Sequence, residues 1–447
     1  MLSGCFMFHR STVVLFLLLL VCAVSVWRHP TPREVSAVYF HDADRVQFDD
    51  VRAVVVREPD VSEHDQRITI AVDGLGAQEE YYVRITTDVY PFVRIGDVFE
   101  LSCVFKRPEP FDGFAYDAYL LRYRIIAECR QPQIRIIGRE ETILTHIIDQ
   151  KLWLIERLQR DLPLPEAGLL LGIVFGEMRA LPDEILQAFQ VTGTSHLLVI
   201  SGSNIVLITG WIQAFLRCCT AERGRILIIL VALTGYTVMT GVQPSATRAA
   251  IFGGIILCSN AFGRPNQALR GLVYTGIVMV ILNPLILLYD AGFQLSWLAS
   301  CGMIVWSDRL TKALSFVPER FELRAAASAT LSATLITTPL LVAQFQVFSV
   351  IGFIANLFLV PLLSSFLLLG ILYTACAVVL PWLAALVSVP FLVVLRYSVT
   401  FVLFFSHVPY AQVPTTVPVS SMVMCYAVLG IYILYVMLKK PQYHFYE

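Results

Sequence analysis

The feature that most limits the fold of this chain is the close succession of apolar segments beginning after Pro163. They occupy residues 194–216, 226–242, 249–263, 271–289, 291–307, 325–345, 350–373, 381–406 and 418–438, with short polar connections between them. Most approach the roughly 20 residues that carry a helix across about 30 Å of hydrocarbon. No water-soluble core could take them all. The composition agrees: 57% of residues are hydrophobic and 15% charged, against about 45–50% and 25% in soluble domains. Residues 168–176 are too short to cross and precede a polar helix over 182–190, the pattern of a re-entrant element. Residues 11–27 carry no charge behind His9 and Arg10, and no small-residue cleavage site follows. An uncleaved membrane anchor over 1–34 is therefore expected in place of a signal peptide. The fold class expected is a polytopic α-helical membrane protein of ten spans plus the re-entrant element.

Between 41 and 137 the character changes. Charges appear every few residues, and short alternating runs at 51–56, 67–72, 81–86, 98–105 and 124–128 are divided by Asp73-Gly74, Pro91 and Gly96-Asp97. Five short strands suit an OB-like β-barrel domain, with a sandwich also compatible with the composition. Residues 139–162, with Ile143, Ile147, Leu154 and Leu158 at helical spacing, predict an amphipathic linker helix leading into a transmembrane domain over 163–438 and a tail over 439–447. Loops on one side hold Arg217, Arg223, Arg225, Arg264, Arg270, Arg309, Lys312, Arg320, Arg324, Lys439 and Lys440; opposite loops hold Arg248. Arg28 and Arg33 run against this asymmetry. The positive-inside rule then places the β-domain outside the cytoplasmic membrane and both termini in the cytoplasm. Cys103 and Cys129, the two cysteines of the external domain, each lie in a predicted strand on the oxidising side, so a disulfide between them is expected.

Other chemistry is narrowed by what the motifs lack. The ten cysteines include no CxxC pair, the eight histidines no metal cluster, and no GxxxxGK[ST] loop occurs. No metal, nucleotide or other cofactor is expected. The net charge of −1 means that any contact with a polyanion is local. If 193–215 is one helix, His196, Ser203 and Gly210 recur every seven residues on one stripe with Asn204 beside it, lining an aqueous path or packing against neighbours. His196 and Ser201 would stand about 140° apart on that helix, so a hydrolytic pair is disfavoured and no enzyme is expected. Arg396 lies mid-span and either meets phosphate or sits at the interface of a hairpin broken at Pro390. Arg248, after Pro244 at the outer edge, is a candidate phosphate contact because a guanidinium bonds phosphate oxygens in pairs. Gln294, Gln344 and Asn356 either line the same path or stitch helices together. Thr330, Thr334 and Thr338 before Pro339 are expected to support a proline kink. Residues 42–135 hold 12 Lys and Arg against 18 Asp and Glu, which favours a docking role for the external domain over DNA binding, despite Tyr81, Tyr82, Tyr90, Phe92, Phe111, Tyr116 and Tyr119.

Four blocks carry a resemblance. Gly172-x3-Gly176, Leu181-Pro182, Phe189 and Gly193-Thr-Ser-His196-Leu-Leu-Val-Ile-Ser201-Gly202 resemble the signature of ComEC-type competence proteins. Thr240-Gly241 with Pro244 and Arg248, then Asn283-Pro284 with Gly292-Phe293-Gln294-Leu295-Ser296, then Thr338-Pro339 with Gln344-Phe345 and Asn356-x4-Pro361, follow in order. Gly96-Asp97-Val98 and the Phe111-Asp-Gly-Phe-Ala-Tyr116-x2-Tyr119 run are similar to that family's external domain. The resemblance implies a membrane channel that admits single-stranded DNA in natural transformation, with membrane lipid, a DNA receptor and a cytoplasmic ATPase as partners and homo-oligomerisation left open. Two departures stand out: the metallo-β-lactamase-like domain of many members is not seen, and Asn204 stands where the family often has histidine. The alternatives are a polytopic enzyme or lipid-handling protein that reuses the fold, and a degenerate homologue that transports nothing.

Overall fold

The computed structural model describes residues 45–62, 64–73, 81–111, 114–261, 268–319, 323–415 and 417–439. The expected anchor and most of the expected C-terminal tail lie outside the described residues.

Strands β1 (Arg45–Val55), β3 (Asp65–Val72), β4 (Tyr82–Asp88), β5 (Asp97–Lys106) and β6 (Ile125–Arg130) close into a barrel in the order β1-β3-β4-β6-β5-β1. Alternation drives it: Ile68, Ile70, Val83, Ile85, Phe99 and Leu101 all point inward and are buried. β4 and β6 run parallel, with Ile85 opposite Cys129, and Lys106 opposite Glu128 joins β5 to β6. Cys103 and Cys129 are bonded to each other in the structure, with Cα atoms 6.4 Å apart. β1 begins six residues before the expected strand because Asp50, at φ +50°, breaks the register between Phe48 and Val51 and hides the alternation. Three elements were not anticipated: the short β2 (Asp60–Val61), helix α1 (Tyr116–Leu121) and β7 (Gln133–Arg139), which pairs with β5 outside the ring.

The remainder is helical. α2 (Ile143–Asp161) opens with a reciprocal cap between Thr142 and Thr145 and buries Ile148, Ile155 and Leu158. α3 (Glu166–Phe175), α4 (Asp183–Val191), a 3-10 turn (Ser195–Leu197), α5 (Gly202–Leu216), α6 (Glu222–Met239), α7 (Pro244–Ala261) and α8 (Ala268–Leu282) follow. Then come α9 (Ile286–Tyr289), α10 (Ala291–Ala313), α11 (Leu323–Phe345), α12 (Gly352–Val379), α13 (Pro381–Ser406) and α14 (Val419–Lys439), with the small ribbon β8 (Val347–Ser349) and β9 (Gln412–Pro414). Among the described residues α11 and α13 are long and apolar enough to cross a membrane, and α12 makes a third if its halves, bent by 42°, are counted as one span.

Two expectations are corrected. The segment 193–215 is not one helix: Gly193, at φ +65°, ends α4, and Ser201, in extended conformation, starts α5 anew. His196 therefore sits on the 3-10 turn, off α5, and the seven-residue stripe does not form. The hairpin broken at Pro390 is absent, because α13 continues through that proline as a single helix of 26 residues. One missing N–H costs a long packed helix a single bond, which its buried Phe391, Leu395 and Val399 outweigh.

The barrel is seated on the helices at several places, among them Arg139 of β7 on Asp149 of α2 at 2.8 Å. Arg122 pairs with Asp290, which also caps α10 by accepting the Phe293 N–H at 3.0 Å, and Asn283 Nδ2 donates to the Arg122 carbonyl at 2.7 Å. Leu285 and Tyr289 close the lower end of the barrel core. Elsewhere Glu58 meets Lys151 and Arg179, described below.

Candidate functional site

α3 is a half-length apolar helix buried along its whole length, packed in the largest core with Phe366, Tyr373, Phe391 and Leu395. A helix that stops inside an apolar bundle must place its last carbonyls. Gly176, at φ +71°, turns the chain so that its own N–H reaches the Gly172 carbonyl at 3.0 Å and the Glu177 N–H reaches Leu171 at 3.2 Å. Two side chains complete the end: Asn204 Nδ2 donates to the Ile173 carbonyl at 3.4 Å, and the Tyr236 hydroxyl to Val174 at 2.9 Å. Asn204 is 1% exposed and accepts from the Ser201 hydroxyl at 3.0 Å. It holds a broken helix in place.

Arg248 stands beside this junction. A Cβ added to Gly202 would lie 3.3 Å from its Nη2. Its Nη1 donates to the Ser300 hydroxyl of α10, and its Nε has no partner in the described structure. At 7% exposure it is a buried cation, and among the described residues no carboxylate lies within ion-pair distance. Ser245, one helical turn earlier, donates to the Ile200 carbonyl at 2.7 Å and so ties α7 to the segment before α5. Gly176, Ser201, Gly202, Asn204 and Arg248, drawn from two separate sequence blocks, are thus gathered at one end of α5.

Apart from Ser203, the other expected site residues fall elsewhere. His196 is exposed; Ser203 lies in the first turn of α5. Gln344 Nε2 donates to Gln294 Oε1 at 2.8 Å, while Gln294 Nε2 bonds the Leu287 and Leu288 carbonyls, so this pair staples α9, α10 and α11. Asn356 is buried on α12, its Oδ1 without a partner among the described residues. Arg396, with a side chain 77% exposed, bonds the Glu166 carboxylate at 3.0 Å, whereas Glu166 itself is 3% exposed at the first turn of α3. Thr338 bonds the Thr334 carbonyl at 2.7 Å, and the Tyr426 hydroxyl reaches the Ile336 carbonyl at 2.9 Å near Pro339.

Sequence reasoning missed the partners. Lys151 on α2 lies 2.8 Å from Glu58 and 3.7 Å from Glu177; Arg179 lies 3.0 Å from Glu58 and 2.9 Å from Glu177. This alternating ring binds the β1–β2 loop, α2 and the loop behind α3. Glu166, a lone carboxylate opening an apolar run, was a visible signal. On the barrel, Arg122 stacks 4.3 Å from the rings of both Tyr119 and Tyr123, and burial pushes the Tyr123 hydroxyl above the ordinary tyrosine range. Among the described residues no group of three His, Cys, Asp or Glu is arranged to hold a metal.

A closed barrel seated on apolar helices, of which α11 and α13 are long and apolar enough to cross a bilayer, points to a membrane protein. The chain belongs to the Competence protein family, whose model matches residues 173–440. It is 29% identical over 260 residues to ComE operon protein 3 of Bacillus subtilis, covering 58% of this chain and 32% of that protein. It is 28% identical over 223 residues to the uncharacterized protein YcaI of Escherichia coli K12, covering 45% of this chain and 28% of that protein. The matched regions thus span about a third of each of these relatives. No solved structure matches the chain.

Proposed function

We propose that this protein forms the passage through which one strand of DNA crosses the cytoplasmic membrane during competence. The observation that carries the reading is the broken helix α3, ended at Gly176 beside the buried cation Arg248, in a chain of the Competence family. Interrupted helices in membrane proteins gather around substrate paths, where freed backbone groups and helix ends face cargo. The path runs past His196, the first turn of α5 with Ser203, and Arg248, with Asn204 holding the end of α3 to one side. Ten crossings put the barrel outside and both termini in the cytoplasm, following the loop Arg and Lys asymmetry. The barrel receives or positions a partner that delivers DNA, and a separate cytoplasmic ATPase supplies the energy.

The test is uptake of labelled DNA by a deletion strain carrying this gene on a plasmid. Restored uptake supports the reading, and unrestored uptake at normal protein abundance in the membrane defeats it. Cysteine labelling that placed residues 308–319 outside the cell would overturn the topology.

A further inference from the structure

Two positive poles meet at the start of α5. A helix N-terminus carries roughly half a positive charge and presents first-turn N–H groups with no partner inside the helix. α5 runs for 15 residues from Gly202, and its N-cap residue Ser201 makes no side-chain cap, its hydroxyl being turned toward Asn204 Oδ1. Against this uncapped end lies the guanidinium of Arg248, near enough that a Cβ on Gly202 would sit 3.3 Å from Nη2. Cations belong at the other end of a helix. Arg248 is nevertheless held here, more than nine-tenths buried, by the Ser300 hydroxyl, with no carboxylate among the described residues to balance it. Among the described residues the buried Thr247 Oγ1 and Arg248 Nε have no hydrogen-bond partner; nor has Gln243 Oε1, an acceptor that an anion leaves unsatisfied. The exposed residues Gly241 and Val242 lead to this cluster from the surface.

An anion offsets two of these costs, the unpaired charge of Arg248 and the uncapped start of α5. We propose that the N-terminal turn of α5 and Arg248 form a built site for a phosphodiester group of the translocating strand, which accepts hydrogen bonds from the first-turn N–H groups and from the guanidinium. This deepens the strand-passage reading and rests on it. Gly202 is the steric determinant of the site: a Cβ there would lie 3.3 Å from Nη2, a tight contact that crowds the guanidinium, with Ala249 in ordinary contact at 3.7 Å. Recognition is of the backbone charge, so it is indifferent to base sequence and weakens with salt.

The experiment uses the full chain in lipid nanodiscs and the anisotropy of a labelled single-stranded oligonucleotide. One probe has natural phosphodiester links and the other uncharged methylphosphonate links. Wild type is expected to bind the phosphodiester probe roughly tenfold or more tightly, in keeping with a charge-assisted hydrogen bond. Arg248→Met and Gly202→Ala should each remove that preference, with Arg248→Lys intermediate. Arg248→Met should melt at the same temperature as wild type or above it, since an unpaired buried charge is being removed. A preference retained in Arg248→Met overturns the site, and so does a lowered melting temperature in that variant, which would mark Arg248 as structural. Wild type binding neither probe would defeat the strand reading itself. Phosphatidylglycerol nanodiscs, compared with phosphatidylcholine, supply the other source of phosphate: an Arg248-dependent rise in melting temperature with phosphatidylglycerol and no response to either oligonucleotide would assign the site to lipid and overturn the proposal.

Discussion

Lys151 Nζ, in the middle of α2, lies 2.8 Å from Glu58 Oε2 of the barrel, and the lysine side chain is 4% exposed. Removing either partner would leave the other charge uncompensated in a largely buried place. Together with Glu177 and Arg179 they form a ring of alternating charge that fixes the barrel to the segment just beyond α3.

Lys151→Met should therefore cost about 3 kcal/mol, because it leaves two carboxylates facing each other with Arg179 alone between them. Thermal unfolding in detergent measures this. Adding Glu58→Gln to Lys151→Met should recover part of the loss; no recovery would show that packing of the lysine stem, and not charge, was decisive.

The end of α3 offers a second test. Tyr236→Phe and Asn204→Leu each strip a donor from a buried carbonyl and should each destabilise the protein by about 1 kcal/mol, up to about 2 in the double variant. Asn204→His keeps a donor and should lose less than Asn204→Leu. Equal losses in the two Asn204 variants would mean that the bond to Ile173 contributes nothing.

Arg396 and Glu166 form the third. Arg396→Leu leaves a carboxylate buried at the start of α3 and should lower the yield of folded protein. Arg396→Leu with Glu166→Gln should restore it, because no charge is then stranded. If the single variant is as stable as wild type, water reaches Glu166 and the pair is incidental.

The bond between Cys103 and Cys129 closes a loop over a sequence separation of 26. Replacing both with serine should reduce barrel stability by about 3.5 kcal/mol on the chain-entropy estimate. Protease resistance of the barrel, with and without reductant, reports it. Peptide mapping of unreduced protein that recovers Cys103 as a free thiol would remove the prediction.

Much of the barrel was legible because strands such as Asp65–Val72 and Asp97–Lys106 place an apolar residue at every second position, Ile68, Ile70 and Val72 on one and Phe99, Leu101 and Phe105 on the other, all buried. β7 was not, since nearly every residue of Gln133–Arg139 is exposed and no buried face imprints a period. The break between α4 and α5 was hidden for the opposite reason: Leu197, Leu198, Val199 and Ile200 are as apolar as any helix interior, and only the backbone at Gly193 and Ser201 reveals the stop. Of the site, the signature glycines and Arg248 could be named from sequence. What could not be read was who meets whom, because Glu58 and Lys151 are 93 residues apart and Glu166 and Arg396 are 230 apart.

Two of the barrel's seats, Glu58 on Lys151 and Arg179 and Arg122 on Asp290, grip different parts of the bundle. A body pinned at one point swivels; pinned at two, it acts as a lever. A tug on the barrel's outer face cannot be absorbed by a slack tether. It is passed to the loop behind α3 and to the first turn of α10, where the two ion pairs are anchored.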